Sequence, residues 1–154
     1  MRIAIGSDHR GFSLKAKLIR FLRQSGFEVA DLGAHQETPP SDYPDIAAKV
    51  ARRVARRAFD RGLLICGTGI GMSIAANKIK GIRAARCLTQ RDAVLSREHN
   101  DANVLALGGM TTSFKAAKEI VKTWLKTDAE GGRHLRRVKK IEEIEKGLVA
   151  KGTE

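Results

Sequence analysis

Short aliphatic runs alternate along the chain with longer segments whose apolar positions recur every three or four residues. The runs are "RIAIG" (2–6), "FEVADLG" (27–33), "GLLICG" (62–67), "IRAARC" (82–87) and "ANVLALGG" (102–109), each with the length and composition of a buried strand. Between them, Leu14, Leu18, Phe21 and Leu22, then Val50, Val54 and Ala58, then Ala117, Ile120, Val121 and Trp124 fall on single helical faces. Strands alternating with helices predict an α/β fold, a parallel sheet covered on both faces. After Trp124 the break "TDAEGG" leads into a charged segment where Leu135, Val138, Ile141, Ile144 and Leu148 repeat at helical spacing. This predicts an extra C-terminal helix from about Arg133, with no strand after it and an apolar stripe that needs a surface to cover it. The tail from about 147 onward is expected to be mobile.

At 154 residues the chain fits one compact domain spanning 1–154. A net charge of +12 would draw it toward nucleic acid, anionic lipid or a phosphorylated metabolite, and does not choose among them. The arginine pairs of "VARRVARRAF" (Arg52, Arg53, Arg56, Arg57) lie opposite the apolar positions Val50 and Val54, which makes them a solvated helix face. No aromatic residues interleave with them, so no nucleic-acid partner is expected. Cys66 and Cys87 are too few for a disulfide framework, and no Cys/His spacing suits zinc, so no metal is expected. The opening "MRIAIGSD" turns polar after five residues and no stretch has the length of a membrane span, which points to a cytoplasmic protein with no membrane partner.

In an open parallel sheet, ligands bind where loops leave the carboxyl ends of the strands. Three exits carry chemistry: "GSDHRG", "CGTGIGMS" and "GGMTTS". Gly6 to Gly11 has P-loop glycine spacing but Phe12 where the lysine belongs, and Gly67, Gly69 and Gly71 miss the dinucleotide pattern. Alternating glycines still form an anion-binding nest, or else a plain tight turn, with Ser73 and small alanines following. Cys66 would face those N–H groups, which favour a thiolate; the alternative is a small buried hydrophobe. Asp8 and His9 could contact a sugar or phosphate or simply cap a turn, and Ser13 is a further cap candidate. His99 and Asn100 read locally as a polar loop. Arg133 and Arg137 share a helix face in its first turns, where the macrodipole disfavours cations, so either an anion lies nearby or the face is solvated. Because His99 and Asn100 precede the fifth strand, they fall at the end of the sheet opposite Cys66. A twofold partner could bring them across.

"IAIGSDHRGFSLK", "DYPDIAAKVA", "ICGTGIGMSIAANKIKGIRAA", "SREHNDANVLALGG" and "EGGRHLRRV" together resemble, in order and spacing, the blocks of the B type of ribose-5-phosphate isomerase and its relatives acting on allose 6-phosphate and galactose 6-phosphate. The likeness spans nearly 3 to 145. It implies a Rossmann-like three-layer fold with a five-stranded parallel sheet. It also implies a cofactor-free, metal-free intramolecular oxidoreductase acting on a phosphorylated sugar, working as a homodimer or dimer of dimers with sites between subunits. On this resemblance Cys66 moves a proton between C1 and C2, and the amides from Gly67 through Gly69 and Gly71 to Ser73 hold a cis-enediolate. Thr68 assists at the reacting oxygens, and His99 opens the ring with help from Asp8. Tyr43 and Asn100 contact sugar hydroxyls, while His9, Arg133 and Arg137 grip the phosphate. Some relatives use a glutamate as base; Cys66 places this chain with the cysteine branch. The substrate pair implied is ribose 5-phosphate and ribulose 5-phosphate, with a six-carbon sugar phosphate as the neighbouring alternative. Outside this chemistry, the alternatives are a basic nucleic-acid-binding α/β domain using the charged surface, whose binding would fall steeply with salt, and a redox-sensing thiol protein, which would need Cys87 close to Cys66.

Overall fold

A computed structural model describes residues 1–36 and 38–148. Five strands, β1 (Arg2–Ser7), β2 (Glu28–Asp31), β3 (Arg61–Cys66), β4 (Ala84–Arg86) and β5 (Val104–Gly108), form one parallel sheet in the order β2-β1-β3-β5-β4. Each lies inside one of the aliphatic runs or starts or ends one residue beyond it. The helices are α1 (Phe12–Gln24), α2 (Tyr43–Ala55), α3 (Ile70–Ala76), α4 (Gln90–Glu98), α5 (Phe114–Lys126) and α6 (Gly132–Glu145). The tail expected to be mobile lies, over 149–154, outside the described residues. Among the described residues no helix is long and apolar enough to cross a membrane.

Strand side chains alternate between the two faces, and so split the core in two. Ile3, Ile5, Leu63, Ile65, Leu105 and Leu107 pack beneath α1, α4 and α5. Ala4, Leu64, Cys66, Val104 and Ala106 pack beneath α2 and α3. A strand buried on both faces reads as a continuous apolar run, which is why the strands stand out in the sequence. The arginine-rich side of α2 is exposed while Val50 and Val54 are buried, as its periodicity predicts.

Two departures have physical causes. Ser13 lies inside α1 and caps nothing; Asp8 takes the capping role, accepting the Gly11 N–H at 3.0 Å to close a single 3₁₀ turn (His9–Gly11) that leads directly into α1. Lys15, which its residue type would place in solvent, is 1% exposed, its Nζ 2.7 Å from both carboxylate oxygens of Asp31 and also donating to the Ala34 carbonyl. That buried pair fastens α1 to the end of β2.

The topology fixes where a ligand can enter. From β1 the chain winds to β2 on one side and then to β3 on the other, so the loops leaving β1 and β3 diverge and open a crevice at their carboxyl ends.

Candidate active site

A cleft of ≈ 620 Å³ occupies that crevice. Its walls bring together Asp8 and His9 from the β1 exit, Tyr43 from the start of α2, and Cys66, Gly67, Thr68 and Gly71 from the β3 exit. Cys66 is the last residue of β3 and only 5% exposed, yet its sulfur borders the cleft. The Gly69 N–H donates to Cys66 Sγ at 3.1 Å.

Each glycine of the loop has its own reason. Gly69 has φ +80°, a conformation that side chains resist, and this turn aims its N–H back at the sulfur. At Gly71 a Cβ would stand 2.6 Å from the Tyr43 ring, so a bare backbone lets the tyrosine lie against the loop. A helix leaves its first N–H groups without intrahelical acceptors. Here Gly69 serves Cys66, and Ile70 donates to Thr68 Oγ1 at 3.3 Å; Gly71 and Met72 follow as the leading amides of α3. The Ser73 N–H is already committed to the Gly69 carbonyl at 3.2 Å and its hydroxyl to Ile70 O at 2.8 Å, so Ser73 belongs to the helix and not to the open cradle. His9 Nδ1 accepts the Ser41 N–H at 3.4 Å, which orients the imidazole at the cleft wall.

Four residues read from the sequence lie elsewhere. Across the β3–β5 ladder Cys66 pairs with Gly108 and Gly62 with Val104, so the two ends of that run are separated by four residues, or about 13 Å. His99 caps the end of α4 and Asn100 follows it, both beyond the far end of this run. Asn100 lines a separate cavity of ≈ 510 Å³ with Arg83 and the α6 residues Ile141 and Ile144. Arg133 and Arg137 are exposed on α6. The predicted stripe of that helix is largely uncovered: Val138 is buried, whereas Leu135, Ile141, Ile144 and Leu148 are 43–65% exposed.

What fixes His99 was not visible in the sequence. Its ring stacks on His134 of α6 at 3.9 Å with an interplanar angle of 6°. Arg133 Nε donates to His134 Nε2 at 3.2 Å, and Glu130 approaches the same nitrogen at 3.5 Å. Burial, followed by the cations around it and offset by Glu130, holds the His134 imidazole below the usual histidine range. Although no metal spacing exists along the chain, the fold gathers one ligand atom each from His99, Glu130 and His134 within 4.8 Å. Parallel rings direct their lone pairs side by side and Arg133 already occupies His134 Nε2, so this cluster suits an imidazole pair better than a cation.

Cys87 is 1% exposed in the core beneath α1 and α5, on the opposite face of the sheet from Cys66, and its sulfur is 3.7 Å from Ser96 Oγ. Burial pushes its thiol up to about 11. It offers Cys66 no resolving partner.

A parallel α/β sheet with a thiol and helix-leading amides beside a cleft at its topological switch point has the layout of an enzyme that binds a small ligand there. The family model for ribose/galactose isomerase matches residues 3–141. The chain belongs to that family and is an isomerase, an intramolecular oxidoreductase. It is similar to ribose-5-phosphate isomerase B of Escherichia coli K12, 49% identical over 144 residues that cover 94% of this chain and 96% of that one. The Clostridium thermocellum ribose-5-phosphate isomerase B structure superposes with a TM-score of 0.94 at 53% identity, covering 97% of this chain and all of the other. The Mycoplasma genitalium enzyme with bound ribulose 5-phosphate gives 0.91 at 43% identity, covering 94% and 96%.

Proposed function

We propose that Cys66 is the base through which this isomerase interconverts ribose 5-phosphate and ribulose 5-phosphate, and that a second copy of the chain completes each site. The observation that carries the reading is the sulfur held at the cleft by the Gly69 N–H at 3.1 Å, with the amides of Gly71 and Met72 next in line.

The ring opens first: the anomeric hydroxyl gives up a proton as the ring oxygen gains one, leaving a C1 aldehyde. His99 serves this step with help from Asp8. The Cys66 thiolate then takes the proton from C2. The electron pair forms a C1–C2 double bond and the negative charge moves to the C1 oxygen, where the loop amides receive it. Return of the proton to C1, with transfer of the C2 hydroxyl proton to the C1 oxygen near Thr68, leaves the C2 ketone. A positioned base contributes about 10²–10⁴ in rate and each oxyanion donor about 10²–10³. Tyr43 and Asn100 contact sugar hydroxyls, and His9, Arg133 and Arg137 hold the phosphate.

The exposed stripe of α6, and the placement of His99 and both arginines away from the Cys66 cleft, support a twofold assembly in which α6 of one copy reaches the cleft of the other. Cys66→Ala tests the base: kcat is expected to fall by about 10²–10⁴ while the sugar phosphate still binds. Retention of most of kcat would refute the role.

A further inference from the structure

We infer that Arg10 is a phosphate-binding residue of this site, contributed by the same copy of the chain that supplies Cys66; the inference rests on the sugar-phosphate reading above. Arg10 sits in the 3₁₀ turn closed by Asp8, and its main chain is wedged against the third exit loop. A Cβ at Gly109 would come within 2.7 Å of the Arg10 carbonyl oxygen. The side chain then runs along the glycine loop. A Cβ at Gly67 would stand 3.3 Å from Arg10 Cδ and 4.0 Å from Nη1, which puts the guanidinium beside the residue that follows Cys66.

What the guanidinium touches there is a poor partner. Nη1 lies 3.8 Å from Met110 Sδ, a thioether that accepts weakly, and among the described residues no carboxylate lies within ion-pair distance of it. Arg10 is also the one arginine or lysine among the described residues lining the Cys66 cleft, which carries the acidic side chains of Asp8 and Asp42. A phosphate dianion entering that cleft meets two carboxylates and needs a cation on the same wall. The forked guanidinium matches a phosphate's oxygens in pairs, as an ammonium does not. The Gly69 N–H points at Cys66 Sγ, whereas the Arg10 guanidinium lies toward Met110, so the thiol and the guanidinium can serve different parts of one substrate.

The test is steady-state kinetics on Arg10→Gln and Arg10→Lys with ribose 5-phosphate, and with inorganic phosphate as competitive inhibitor. In Arg10→Gln, KM for the sugar phosphate and the inhibition constant of phosphate are both expected to rise by about 10- to 100-fold, with kcat falling much less. Arg10→Lys should recover part of both. Phosphate binding measured directly on folded Cys66→Ala, with and without Arg10→Gln, gives the same comparison without turnover. An unchanged phosphate affinity would overturn the inference, and so would a fall in kcat at constant KM, which would put Arg10 at the reacting oxygens. Either result leaves the isomerase reading intact provided Cys66→Ala is inactive; failure of that reading would show instead as an active Cys66→Ala.

Discussion

Two inactive variants should restore activity to each other. Cys66 and Gly108 face each other at one end of the β3–β5 ladder, and His99 lies beyond Val104 at the other, a span of at least about 13 Å. A proton-transfer group works within about 3 Å of its proton, so Cys66 and His99 of one chain cannot both serve neighbouring atoms of one sugar. The perturbation is Cys66→Ala in one preparation and His99→Asn in another, each expected to be inactive alone. They are unfolded, mixed in equal amounts and refolded, and ribulose 5-phosphate formation is followed. If each site takes Cys66 from one copy and His99 from the other, a mixed dimer holds one site with both defects and one with neither. Random pairing makes half the dimers mixed, so activity should return to about a quarter of the wild-type value. Differently tagged chains show whether mixing occurred. No recovery from demonstrably mixed dimers would refute the shared site while leaving the base assignment standing.

Three further outcomes are expected. Arg137→Ala should raise KM for ribose 5-phosphate more than it lowers kcat, as for uniform binding to a group remote from the chemistry; an unchanged KM would return the residue to a solvated face. Lys15→Ala leaves Asp31 three-quarters buried without its partner, and chemical denaturation should show a loss of about 3 kcal/mol; a loss below about 1 kcal/mol would mean that water replaces the lysine. His134 is held below its ordinary range by burial, then by His99, Arg133 and Arg137, against Glu130, so below about pH 6.5 the unfolded chain binds a proton that the folded one resists. Stability should therefore fall as pH drops through that range, and His134→Gln should flatten this part of the curve; an unchanged slope would place the effect elsewhere.

The sheet was legible because its central strands are buried on both faces, and the C-terminal helix because its stripe is long. By contrast α4 escaped apolar periodicity: its buried residues are Ala93, Ser96 and Arg97, too small or too polar to mark a face. The signal that could have found it is the capping box of Thr89 and Asp92 at its start. The glycine loop was legible because its geometry is local. Asp8 shows why a choice between cap and site can be false, since the same carboxylate caps Gly11 and lines the cleft. Arg10 and His134 were not legible. Arg10 depends on the β1 exit meeting Met110 from beyond β5, and His134 on a ring from 35 positions earlier in the chain lying flat against its own.

The positive charge, the first feature to suggest a partner, divides by what each guanidinium meets. Arg97 is 2% exposed and donates to Asp101 Oδ1 at 2.7 Å, to Ala102 O at 2.6 Å and to Thr127 O at 3.1 Å. Arg83 reaches the other oxygen of Asp101 at 2.8 Å and the Asn100 carbonyl at 3.0 Å. One carboxylate, on a residue with φ +44°, thus ties two arginines to the loop that carries His99 and Asn100. These cations are structural, their charge offset where it stands. Arg52 and Arg53 are exposed along α2 and simply solvate it. Arg10, Arg133 and Arg137 are likewise exposed and without a carboxylate within ion-pair distance among the described residues, but Arg10 lies against Met110 while lining the Cys66 cleft and Arg133 donates to the His134 ring. The shared site proposed above would account for these cations, since an anion held between two copies of the chain would meet residues from both ends of the sheet.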